Sequence, residues 1–174
     1  MKYQPNNSSS SSCPVLRELT LYECDWNIEK VTMKIPTLTT LIIEDDGHGS
    51  SDKPSLICEV AIDSVDLASL SCIDYNRWVE LVPINLTSLV EASIDIWGRG
   101  FMKETDWSRM PHCLKYSLKS FSISNSDGSS VDMKLLSFLL KNATFIERIE
   151  IFCLQSLSSD LKRLAEIRDQ LEEM

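Results

Sequence analysis

Cys13-Pro14-Val15-Leu16-Arg17-Glu18-Leu19-Thr20-Leu21 is answered by Ile35-Pro36-Thr37-Leu38-Thr39-Thr40-Leu41-Ile42-Ile43, with one constant offset carrying Cys13 to Ile35, Leu16 to Leu38 and Leu19 to Leu41. In a strand, residues two apart share a face. Leu19 and Leu21 therefore face one way with Leu41 and Ile43, while Glu18, Thr20 and Tyr22 face the other way with Thr40, Ile42 and Glu44. Leu16 and Leu38 turn inward at the strand entrance. A single block cannot cover three apolar side chains, so adjacent blocks must do it by stacking.

The spacing returns at Leu67-x-x-Leu70-x-Cys72, Leu118-x-x-Phe121-x-Ile123 and Ile146-x-x-Ile149-x-Ile151. A further block begun at Leu86 and Leu89 puts Glu91 in an inward slot, while Val90, Ala92, Ile94 and Ile96 alternate. A strand of altered phase, with a bulge, is expected there. The intervals Leu16 to Leu38, Leu38 to Leu67 and Leu118 to Ile146 are unequal, yet each falls within the period of leucine-rich repeats, roughly 20–29 residues. The expected fold is an α/β leucine-rich solenoid: a curved, mostly parallel sheet, with helices and return segments on its outer face and irregular repeats. Its open face continues through Ser69, Ser71 and Ile73, then Ser120, Ser122 and Ser124, then Arg148, Glu150 and Phe152. Tyr22, Ile42, Ile73 and Phe152 are the apolar members of this polar set and the candidate anchors for a bound protein.

Working outward, the run Ser8 to Ser12 closes a stretch, 1–12, with little to pack, read as a disordered tail. Residues 13–110 are assigned to the irregular repeats and 111–174 to a module ending in a helix. Asp45-Asp46-Gly47-His48-Gly49-Ser50-Ser51-Asp52 is rich in turn formers and reads as an exposed connection. A helix is expected over Met133 to Asn142, with Ser129 and Asp132 as a capping box. Another is expected from Asp160 to about Glu172, capped by Ser158 or Ser159, with Leu161, Leu164, Ala165 and Leu171 on its apolar face.

The 174 residues carry a formal charge of −9, which repels phosphate backbones and anionic lipid, so neither nucleic acid nor membrane is an expected partner. No stretch is long and apolar enough to span a bilayer and the first residues lack a signal-peptide core, which points to the cytoplasm or nucleus. The six cysteines are widely spaced and read as buried free thiols. The sequons at Asn85 and Asn142 then carry no meaning for glycosylation.

Chemistry is hard to find. Of two histidines, His48 lies in the polar connection, and His112 beside Cys113 would point away from it on a strand. No cysteine pair has zinc spacing, and Asp45, Asp46 and Asp52 lack the glutamate register of a calcium loop. No glycine-rich phosphate loop or nucleophile elbow occurs, so neither catalysis nor a cofactor or metal is expected, and a hydrolase is the remote alternative. Trp26, Trp78, Trp97 and Trp107 are read as packing residues before binding anchors.

The block Cys13-Pro14-x-Leu16-x-x-Leu19-x-Leu21, running on to Cys24 and Trp26, resembles the repeats of plant F-box/leucine-rich-repeat proteins. Trp107-Ser108-Arg109-Met110-Pro111-His112-Cys113-Leu114, then Leu118-Lys119-x-Phe121-x-Ile123, Phe138-Leu139-Leu140-Lys141-Asn142-Ala143 and Ile146-Glu147-x-Ile149-x-Ile151, is similar to the FBD module of those proteins. The resemblance implies a solenoid that holds the substrate of a cullin-based ubiquitin ligase, while an F-box elsewhere docks on a Skp adaptor. No F-box helices precede Cys13, so adaptor binding is not expected of this chain, and a shortened, competing binder is the alternative to a ligase subunit. The protein target itself is not legible.

Overall fold

A computed structural model describes residues 13–24, 28–45, 58–74, 79–95, 112–154 and 160–172. Each repeat block forms a strand: β1 (Glu18–Tyr22), β3 (Thr40–Asp45), β5 (Ser69–Asp74), β7 (Glu91–Asp95), β8 (Ser120–Ser126) and β9 (Arg148–Cys153). They make one parallel sheet in the order β1-β3-β5-β7-β8-β9, so lateral order follows chain order. Between them, β2 (Lys30–Lys34), β4 (Cys58–Asp63) and β6 (Val79–Pro83) form a second parallel sheet. The helices are α1 (His112–Tyr116), α2 (Ser130–Asn142) and α3 (Leu161–Glu172), giving a mixed α/β architecture.

The register of the six-stranded sheet reproduces the sequence spacing. Leu19, Leu41, Leu70, Ala92, Phe121 and Ile149 form one inward row, and Leu21, Ile43, Cys72, Ile94, Ile123 and Ile151 the next. Just ahead of each strand, one carbonyl accepts two backbone N–H groups from the following block. Thr39 and Thr40 donate to Arg17, Ala68 and Ser69 to Thr39, Val90 and Glu91 to Ala68, Lys119 and Ser120 to Val90, and Glu147 and Arg148 to Lys119, all at 2.7–3.0 Å. From Arg17 through Thr39, Ala68 and Val90 to Lys119 the acceptors alternate between a shorter and a longer step along the chain, so repeats of unlike length meet the sheet at an identical joint.

The joint corrects the reading of the block around Leu86 and Leu89. Its leading leucine is Leu89, offset from Leu67 as Leu38 is from Leu16, and Leu86 takes the place that Ile35 holds ahead of Leu38. Glu91 is exposed on the outer side, Ala92 and Ile94 fill the inward slots, and β7 pairs regularly with both neighbours. The ladder irregularity lies instead between β8 and β9, where Ser124 and Asn125 face one residue, Phe152. Asn125 takes a left-handed backbone there (φ 56°), a conformation asparagine tolerates better than most residues. Ile96 lies outside the described residues.

The return segments also differ from expectation, since three are strands. Val31 and Met33, Val60 and Ile62, and Val79 and Leu81 alternate toward the same core that takes Leu41, Ile43 and Cys72. Farther along, Cys113 and Leu114 of α1 and Leu135, Leu136 and Leu139 of α2 join that core. Leu38, Leu41, Leu67 and Cys72 are fully buried, whereas Leu19, Leu21, Ile149 and Ile151 on the two edge strands are only partly covered. Ser64 occupies the slot that Ile35 and Leu86 fill with hydrocarbon. Its buried hydroxyl reaches the carbonyls of Ile35 (2.8 Å) and Leu38 (3.1 Å), which offsets the loss of apolar contact.

α2 starts at Ser130, ahead of the expected Met133, and is capped as the sequence predicts, with Ser129 Oγ accepting from the Asp132 N–H. The reciprocal half of a capping box is not formed: Asp132 is buried and accepts from Ser126 Oγ at 2.7 Å, while the Ser129 N–H donates to Asp127 Oδ1. His112 and Cys113 sit on α1 and not on a strand. Among the described side chains of α3, Ile167 is buried and Leu164 and Ala165 are partly covered, while those of Leu161 and Leu171 lie outside the description. Ile167 lies over Gly128, whose positive φ (63°) and missing Cβ leave room that any side chain would take from it. The serine-rich stretch 1–12, residues 46–52 of the polar connection, the four tryptophans and Ser158 and Ser159 lie outside the described residues.

Candidate protein-binding face

The side of the six-stranded sheet away from the core carries three rows. Nearest the strand entrances run Glu18, Thr40, Ser69, Glu91, Ser120 and Arg148; in the middle run Thr20, Ile42, Ser71, Ser93, Ser122 and Glu150; beyond them run Tyr22, Glu44, Ile73, Asp95 and Ser124. Successive strands are about 4.8 Å apart and rows about 6.8 Å apart, so the array spans roughly 24 by 14 Å. The structure brings together all fifteen expected face residues except Phe152, which sits at the irregular pairing and is 55% exposed. Tyr22 is 53% exposed, whereas Ile42 and Ile73 are half-buried among their neighbours.

Glu91, Ser93 and Asp95 escape the sequence reading because it places their block in the wrong phase. A signal for them exists: they follow Ser69, Ser71 and Ile73 at the same offset that links Glu18, Thr20 and Tyr22 to Thr40, Ile42 and Glu44. They matter for the electrostatics of the face, which holds Glu18, Glu44, Glu91, Asp95 and Glu150 against Arg148. Arg148 donates through Nε to Ser120 Oγ (3.1 Å) and lies 3.9 Å from Glu150. Asp95 is 7% exposed and accepts from Asn125 Nδ2 at 2.6 Å; burial pushes its carboxyl above the usual range, and the amide partly opposes this. Ser122 Oγ donates to Ser93 Oγ at 2.8 Å, which ties the middle row across β7 and β8.

All six cysteines are free: Cys58, Cys72 and Cys113 are buried, Cys24 is partly covered, and Cys13 and Cys153 are exposed, contrary to the reading of all six as core thiols. Among the described residues no three His, Cys, Asp or Glu side chains are gathered as metal ligands, and no helix is long and apolar enough to cross a membrane.

The architecture is that of a mixed α/β protein built on parallel sheets, and residues 106–151 match the FBD family. That segment takes in α1, β8, α2 and most of β9. A protein named FBD-associated F-box protein in Arabidopsis thaliana is similar, with 28% identity over 144 residues, which is 78% of this chain. The chain spans about a third (33%) of that relative's length. No solved structure matches.

Proposed function

We propose that this chain is a leucine-rich solenoid that binds a protein through the open face of its six-stranded sheet, as the substrate-recognition part of an F-box-like ubiquitin-ligase subunit. The supporting observation is the register. Six parallel strands hold polar and apolar side chains in fixed rows on the side that the core leaves free, with their backbones locked by the repeated carbonyl joints. A rigid surface that need not order itself on binding keeps more of its contact energy as affinity. The likeness to an FBD-associated F-box protein supplies the ligase context. On this reading the chain is a non-enzymatic binder acting in the cytoplasm or nucleus.

Charge placed on the exposed or half-exposed apolar side chains tests the reading. Tyr22→Asp and Ile42→Asp should each fold, with stability changed by about 0.5 kcal/mol at Tyr22 and somewhat more at Ile42, and should lose capture of the partner identified by proximity labelling. Variants that fold and bind like the parent would remove the open face from consideration.

A further inference from the structure

We infer that the open face accepts an extended, lysine- or arginine-bearing protein segment laid across the strands along the middle row. The inference rests on the protein-binding reading above and specifies the chemistry of the partner. The middle row from β1 to β8, Thr20, Ile42, Ser71, Ser93 and Ser122, is uncharged and mostly short, so it forms a low floor. Carboxylates border it on both sides. Glu18 and Glu91 stand in one outer row, three strands apart, and Glu44 stands in the other; Asp95, farther along that second row, is buried against Asn125 and is not one of the contacts.

Glu18 and Glu91 are about 14 Å apart along the floor, and the two outer rows are about 14 Å from each other. An extended peptide rises about 3.4 Å per residue with side chains alternating to either side, so seven residues cover the floor and cations can reach both borders. The serine and threonine hydroxyls can donate to or accept from its backbone. The one cation in these rows, Arg148, sits at the β9 end, already engaged with Ser120 and beside Glu150. The excess of 26 acidic over 17 basic residues in the whole chain adds attraction at longer range.

The test uses the full chain and two fluorescein-labelled seven-residue peptides built on glycine and serine, one with four lysines and one with four glutamates, read by anisotropy. The lysine peptide should bind, the glutamate peptide should not, and affinity should fall steeply with added salt. Combining Glu18→Gln, Glu44→Gln and Glu91→Gln should weaken the lysine peptide by about tenfold or more, taking each exposed charge pair at somewhat under 1 kcal/mol. Removing three charges elsewhere, with Glu29→Gln, Asp66→Asn and Asp169→Asn, should leave binding near that of the parent. Equal losses in both triple variants would reduce the effect to net charge and overturn the inference, as would binding of the glutamate peptide. Should the face triple variant lose its fold, Glu91→Gln alone should still weaken binding, and no change there also counts against it. If the partner found by proximity labelling depends on Tyr22 and Ile42 but presents no basic segment, the face binds protein and only its chemistry has been misassigned.

Discussion

Cys113 shows how burial sets the chemistry of a single side chain. It is 2% exposed on α1, and loss of hydration pushes its thiol up to about 11 from an ordinary 9.0, against a smaller opposing effect of the Leu114 backbone. A raised thiol stays protonated in the folded chain while the unfolded chain ionises. The associated stability is therefore complete below pH 9 and is lost as the pH climbs toward 11, on the order of 2 kcal/mol. Denaturant unfolding across that window should show the decline, and Cys113→Ala, though less stable throughout, should have a flatter profile. An equal slope in both proteins would assign the decline to other groups.

At the scale of elements, α2 depends on a serine whose part is readable from the sequence. Ser129→Ala removes the acceptor for the Asp132 N–H and should cost about 1 kcal/mol in chemical denaturation, while Ser129→Asn should recover most of it. Other elements are less legible, for identifiable reasons. The strands of the main sheet can be read because Leu16, Leu38 and their successors repeat a spacing that strand geometry requires. The block at Leu89 misleads because its first inward slot is filled by Ala92, which is too small to stand out, while Leu86 offers a stronger false start. The second sheet is hidden although Val31 and Met33, or Val60 and Ile62, alternate as clearly as Leu19 and Leu21; the leucine spacing draws attention away from them. α1 cannot be distinguished from a strand by five residues. The face is legible in outline because alternation places its side chains, but Asp95 is held by Asn125, thirty residues away at a local irregularity that alternation does not predict.

For the whole molecule, the sequential order of the strands bears on what the chain can do alone. On the proposed reading the chain holds a target through its sheet face and leaves adaptor docking to an F-box, so the purified 174-residue chain should show no binding to a Skp adaptor at micromolar concentration in pull-down or calorimetry. Robust binding would overturn that division of labour and place an adaptor-docking surface on this chain. The same order has a mechanical consequence. Because the first and last strands form opposite edges of the sheet, tension applied between them acts along the inter-strand hydrogen bonds and not across them, so rungs open one after another and the sheet peels. A detached block, shorter or longer as the steps between joints alternate, would release at most about 80 or 100 Å of chain. A protein pulled from its ends, as by an unfoldase, should therefore yield in short, unequal steps at low force, with no single event that disrupts it all at once.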